Sequence, residues 1–210
     1  MHVIDHVFVF CSTGAPEQQL LAAKGLRVGV QRQHTGQGTA NACFGFGNAY
    51  LELLWLASEA ESRHAMVKPL GLQERARWQQ TNASPFGICV RPVTPGAAPP
   101  FVRWDYRPAY LPADLPIQMA CNSGVIGEPM LFAIDRPFAP FGVEHSMAKA
   151  QLVQTTITVT DLAPMSLLRE VEVPGLTIQS GQQPLMELAF ENPRGSVLDL
   201  RPQLPLVLRH

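Results

Sequence analysis

The chain has 210 residues, of which 46% are hydrophobic and 16% charged, with a formal net charge of −1 at neutral pH. That is enough to bury one large core or two compact units, and the scattered, balanced charges exclude both a phosphate-tracking groove and a membrane-attracting patch, so neither nucleic acid nor a membrane is an expected partner. No apolar run reaches membrane-spanning length, no basic leader precedes one, and Cys11, Cys43, Cys89 and Cys121 form no Cys-x-x-Cys pair, so the expectation is a soluble protein of a reducing, cytoplasmic compartment.

In chain order, His2 to Phe10 reads as a strand. Ile4, Phe8 and Phe10 share the face that carries His6, and Val7 and Val9 occupy the other, so both faces meet protein. Pro16 suits the first turn of a helix that runs through Lys24 and ends at Gly25. Leu26 to Val30 forms a short strand, Gln31 to Gly38 is polar and loop-like, and Thr39 to Phe46 is a strand that turns at Gly47-Asn48 into Tyr50 to Leu56. Residues 1–58 therefore read β-α-β-β-β.

Glu52 lies in the middle of Tyr50-Leu51-Glu52-Leu53-Leu54-Trp55-Leu56. A carboxylate in such a run is paired, hydrogen-bonded or bound to metal, because removing its water costs several kcal/mol or more. His6 is its nearest partner among the early strands. Upstream, Thr39 and Asn41 either present polar contacts to an anionic or carbonyl ligand or satisfy backbone groups at the strand entrance.

Residues 59–150 read as a mostly helical linker followed by irregular middle strands packed on the same unit. Ala57 to Gln80 is helical and solvated, Ser84 to Arg91 is a strand, and the prolines from Pro92 to Pro100 interrupt regular structure. Phe101 to Arg107 alternates, its Arg103, Asp105 and Arg107 either solvated or lining a polar cavity. Met130 to Ile134 supplies one more strand.

Residues 151–210 repeat the opening pattern. Gln151 to Thr160 is a strand, Asp161 caps a helix starting near Pro164, and strands follow at Leu176, Leu185 and, after a turn over 192–195, Ser196. Leu198-Asp199-Leu200 matches Leu51-Glu52-Leu53, and Thr155 precedes Asp199 by nearly the separation of His6 from Glu52. Such self-similarity marks paired structural units.

Ile4-Asp5-His6-Val7, Gly38-Thr39-x-Asn41 and Tyr50-Leu51-Glu52-Leu53 resemble the opening strand, the Gly-Thr-x-Asn stretch and the fourth strand of glyoxalase-like proteins of the vicinal oxygen chelate superfamily. The resemblance implies an α+β fold of repeated βαβββ modules whose mixed sheets curve into a cup. It implies a divalent metal (Fe, Mn, Zn, Co or Ni) on His6 and Glu52, with Asp199 as the donor from the last module and Thr155 at the position of the second histidine. Glu187, Glu144 and His145 are further donors of uncertain register. With Glu52 as the catalytic carboxylate and Thr39, Asn41, Tyr50 and Thr155 at the ligand, the implied function is a lyase, isomerase or dioxygenase acting on a small carbonyl or aromatic compound, in a homodimer. The alternative is a non-catalytic protein that sequesters such a compound. A phosphate-cradling loop at Gly45-x-Gly47 is set aside for want of a nearby lysine, and Ser123-Gly124 lacks a nucleophile elbow.

Overall fold

The computed structural model describes every residue except 140, 164–165 and 192–194. The helix start expected near Pro164 and most of the turn expected at 192–195 lie outside the described residues.

The first element, β1 (His2–Phe10), is followed by α1 (Gln18–Ala22), β2 (Val30–His34), β3 (Thr39–Gly45) and β4 (Tyr50–Leu56). Most of β2 falls where the sequence reads as loop. Gln31, Arg32 and Gln33 are exposed, and the strand forms the edge of its sheet, where side chains that face water carry no apolar pattern. The stretch expected to be helical breaks into α2 (Glu59–Ser62), α3 (Leu72–Ala76) and α4 (Trp78–Thr81), with a 3-10 turn at Lys68–Leu70. Gly71 and Asn82, both at positive φ, end these short pieces.

Four strands follow, β5 (Phe86–Pro92), β6 (Arg103–Tyr106), β7 (Ile117–Ala120) and β8 (Met130–Ala133), and they join the first four in an eight-stranded sheet of order β2-β3-β4-β1-β5-β8-β7-β6. The rest of the chain forms a five-stranded sheet from β9 (Leu152–Val159), β10 (Leu176–Ser180), β11 (Leu185–Phe190), β12 (Val197–Asp199) and β13 (Leu206–Arg209), in the order β10-β9-β11-β13-β12.

The smaller sheet repeats the centre of the larger one. β1 pairs parallel with β4 and antiparallel with β5, which pairs parallel with β8, itself antiparallel to β7. In the same senses β9 pairs with β10 and β11, β11 with β13, and β13 with β12.

The expected cup of curved βαβββ modules is not what forms. Both strand orders are linear and open, with β2 and β6 as the edges of one sheet and β10 and β12 as the edges of the other. Among the described residues only the first segment has the βαβββ composition; β5–β8 and β9–β13 carry 3-10 turns and no α-helix. The reason lies in the two apolar faces of the large sheet. Val7, Val9, Leu51, Leu53, Ile88 and Leu131 pack with Ile157, Met186, Leu188, Phe190 and Leu206 of the small sheet. Two sheets that share a core about 10 Å thick lie against one another, and one of them cannot also curl round a ligand. Asn48 clips the pair together, its Nδ2 donating to the Leu152 carbonyl (2.9 Å) and its Oδ1 accepting from the Leu152 N–H (2.8 Å).

The opposite face of the large sheet carries Phe8, Phe10, Leu54, Cys89, Met119, Met130 and Phe132, covered in part by Leu70 and Leu72. That cover is anchored by Arg75, which is fully buried. Its guanidinium donates to the carbonyls of Leu70, Ser84, Ser123, Val125, Ile126 and Glu128. Burial pulls its pKa down to about 10, with Glu128 and Glu74 opposing, so it stays charged at neutral pH. Six acceptors around one planar cation fix the α3 wall to the loop before β8.

Candidate functional site

A cavity of about 430 Å³ opens on that second face. Its floor is β1, β4 and β8, whose side chains alternate into it: His6 and Phe8 from β1, Tyr50, Glu52 and Leu54 from β4, Met130 and Phe132 from β8 with Ile134 just beyond.

His6 owes its setting to an irregularity. The β1–β5 register shifts between Ile4 and His6, leaving Asp5 as an extra residue. In a regular strand neighbours point to opposite faces, and a bulge relaxes that rule. Here the Asp5 carboxylate reaches the ring beside it, with Oδ1 2.8 Å from His6 Nδ1. Ile4 in turn joins the core between the sheets, not the His6 face on which alternation places it.

Burial pushes the Asp5 carboxyl up, but its contacts with His6, then Arg136 and Arg91, outweigh burial and hold it below the usual value. An ionised carboxylate only accepts, so Nδ1 carries the proton and donates to it. Nε2 is thereby turned to the cavity, where it lies 3.8 Å from Glu52 Oε1. Tyr50 stacks on the imidazole at 4.4 Å and Phe132 meets it edge-on at 5.6 Å, so the ring is fixed on three sides. Glu52 is buried, and the Cys43 thiol donates to its Oε1 at 3.8 Å.

The other residues singled out in the sequence divide between the sheets. Asn41 lines the cavity; its Oδ1 accepts from the Arg32 backbone N–H (3.2 Å), and its Nδ2 has no hydrogen-bond partner among the described residues. Thr39 is fully buried behind the wall, its hydroxyl joined to His34 Nδ1 and Gln37 Nε2, each at 2.8 Å. Thr155 is buried on β9 in the small sheet, its hydroxyl without a partner among the described residues. The β9–β11 bulge falls at Val153, so the counterpart of His6 is Gln154, one place earlier. Asp199 ends β12 on the surface, where Arg201 donates to both of its oxygens and brings its pKa down to about 2. Glu187 pairs with Arg209 at 2.7 Å, and His145 Nε2 lies 2.7 Å from the Gly45 carbonyl. Of the six residues beyond His6 and Glu52 named so far as donors or ligand contacts in the strands, Asn41 and Tyr50 share their cavity, and Asp199 does not.

Several residues in or behind the cavity wall carry no signal in the sequence. Asp5 adjoins His6, which in a regular strand places it on the opposite face; only the bulge brings them together. His34 lies in a stretch that reads as loop, yet it lines the cavity and stacks on Tyr110 at 4.6 Å. Burial, chiefly, lowers its pKa, with Glu52 opposing, so the ring is neutral at pH 7. Arg136 follows β8 without a motif and donates from Nη2 to the Tyr50 hydroxyl at 2.9 Å.

Two donor sets for a divalent ion meet at His6. Asp5, His6 and Cys89 hold three ligand atoms within 4.8 Å of one another. On the cavity side, His6 Nε2 and Glu52 offer one nitrogen and one carboxylate, chemistry that suits a divalent first-row ion. A neutral imidazole has a single free lone pair, so the two sets compete for it. Asp5 already faces Arg136 at 3.7 Å and Arg91 at 3.8 Å, and burial keeps the Cys89 thiol protonated. Both features favour the cavity side, with Asp5 orienting the imidazole from behind as carboxylates do for metal-bound histidines.

No helix among the described residues is long and apolar enough to cross a membrane. Residues 4–100 match the family model of a glyoxalase-like domain. A search of the curated proteins finds no match. Among solved structures, a hypothetical protein from Staphylococcus aureus is similar over 100% of this chain and 99% of its own, with a TM-score of 0.52 at 10% identity, which is a likeness of fold. A hypothetical protein from Bacillus halodurans C-125 matches 65% of this chain and 95% of its own, with a TM-score of 0.41 at 12% identity. A Streptomyces coelicolor methylmalonyl-CoA epimerase matches 63% and 95%, with a TM-score of 0.40 at 17% identity. The family match spans β1 to β5 and includes the His6 and Glu52 strands, so the similarity to a glyoxalase-like domain covers residues 4–100 of the chain.

Proposed function

We propose that this chain is a metal-dependent enzyme of the lyase or isomerase kind that moves a proton next to a carbonyl group in a small molecule. The observation that carries the reading is the 3.8 Å approach of His6 Nε2 to Glu52 Oε1, with Asp5 fixing the ring from behind. His6 and Glu52 would hold the ion, which supplies polarisation of a substrate carbonyl when bound. The chain's own groups do the rest. Phe132, Met130 and Leu72 exclude water from the reacting end of the cavity. Asn41 Nδ2 offers a donor to a substrate oxygen. The neutral ring of His34 is placed to take or return a proton, a step worth roughly 10²–10⁴ in rate when correctly positioned.

A cytoplasmic setting belongs to the same reading, since Cys11, Cys43, Cys89 and Cys121 are all free thiols.

The test is metal analysis after purification without a chelating tag and supplementation with Fe, Mn, Zn, Co and Ni. About one equivalent is expected in the parent, and none in His6→Ala or Glu52→Gln with circular dichroism unchanged. Asp5→Asn should weaken the ion about 10–100-fold through the orientation of His6. A parent that retains no ion would overturn the metal-dependent reading and leave the cavity as a binding pocket for a small carbonyl or aromatic compound.

A further inference from the structure

We infer that Arg136 is the carboxylate-recognition residue of this cavity, and that the ligand is a small monocarboxylic acid carrying an apolar group; the inference rests on the proposed site at His6 and Glu52 and names the class of molecule that site takes. Charged side chains that line the cavity are Arg32, Arg136 and Glu52, an excess of one positive charge before any cation is added. A metal ion at His6 increases that excess, and an anionic ligand offsets it.

Arg136 is the better placed of the two arginines. Arg32 is exposed on the edge strand β2. The Arg136 side chain is one-third exposed and held at the floor, with Nη2 on the Tyr50 hydroxyl and 3.7 Å from the buried Asp5 carboxylate. Its Nε and Nη1 groups have no hydrogen-bond partner among the described residues. Nη2 has a second hydrogen beyond the one it gives Tyr50, and together with the free Nε or Nη1 along the shared edge it can bind a carboxylate in two parallel hydrogen bonds.

The placement also sets the rest of the molecule. Tyr50, which holds Arg136, stacks directly on His6, so a carboxylate on Arg136 brings the adjoining carbon and its oxygen over the His6–Glu52 pair. The lining also offers an apolar part in Leu54, Met119, Met130 and Phe132. A 2-oxo or 2-hydroxy acid with an aromatic or branched side chain satisfies all three.

The experiment is calorimetric titration of the purified protein with 2-oxo-4-phenylbutanoate and with its ethyl ester, which differ in the carboxylate charge. The parent should bind the acid at least about tenfold more tightly than the ester. Arg136→Gln should remove that preference while keeping its metal content, and Arg136→Lys should restore part of it. Glu52→Gln, which removes a metal ligand, should keep the preference for the acid. Equal binding of acid and ester to the parent, no binding of the acid, or a preference that survives in Arg136→Gln would overturn the assignment. Loss of metal in the Glu52 variant is read separately, so the metal reading and the carboxylate reading fail by different results.

Discussion

The two halves of the eight-stranded sheet have the same strand pairing and opposite chemistry. In the first half the cavity face of β4 presents Tyr50, Glu52 and Leu54, and β1 presents His6 and Phe8. In the second, β8 and its exit present Met130, Phe132 and Ile134, and β5 presents Gly87 and Cys89. Where one half has a carboxylate the other has a phenylalanine. The glycine is already filled, since a Cβ there would collide with the Phe8 ring. One backbone arrangement thus supplies a polar wall and an apolar wall to a single cavity, and a site that spans the pair needs donors from only one of them.

The strongest way to break this difference is to place a carboxylate in the apolar half. Phe132→Glu sets an unpaired acid beside His6 and should cost roughly 3–5 kcal/mol in urea unfolding of the metal-free protein. Added zinc or cobalt should raise its melting temperature more than the parent's, because the new side chain supplies another donor. Unchanged stability, or no extra gain with metal, would show that position 132 is remote from the ion.

A smaller effect sharpens the polar half. His34 has its pKa lowered, first by burial, so in the folded state it resists a proton that the unfolded chain accepts near the ordinary value of 6.5. Above pH 6.5 both states are neutral and nothing is lost; as pH falls below it, the unfolded state binds more protons and stability declines. The urea midpoint of the parent should therefore fall from pH 7.5 to pH 5 more steeply than that of His34→Gln. Parallel profiles would contradict a neutral buried His34.

The smallest effect is expected from the other sheet. Asp199→Asn removes an exposed pair with Arg201, and metal content and ligand binding should match the parent's. Loss of the ion in that variant would place Asp199 in the site after all.

How much was legible in the sequence follows from these residues. His6 and Glu52 stand out because a polar residue in an apolar, alternating run needs a partner, and strands β1 and β4 are neighbours. Strand spacing set the Asp199 strand on the Glu52 strand, whereas by pairing β9 and β10 match β1 and β4 and β12 matches β7, because spacing does not fix which strands are neighbours. Residues 84–134, poor in periodicity and rich in proline, complete the large sheet, and the better-patterned last third stacks on its back. Asp199 resembles Glu52 in its local triplet, yet β12 is an edge strand in the second sheet, where an acid simply meets water and an arginine. Asp5, His34 and Arg136 were illegible for three different reasons: a bulge that alternation cannot foresee, a polar edge strand that mimics a loop, and a cation placed by the turn after a strand.

The central claim is that an ion would bind on the cavity side of His6. Cobalt(II) titration followed by visible absorption tests it most directly, because a thiolate ligand adds a sulfur-to-cobalt charge-transfer band that nitrogen and carboxylate ligands do not. The account predicts saturation near one equivalent with ligand-field bands alone, unchanged in Cys89→Ser and abolished in Glu52→Gln. A charge-transfer band that disappears in Cys89→Ser, with binding indifferent to Glu52, would put the ion on Asp5, His6 and Cys89, buried away from any substrate, and contradict it.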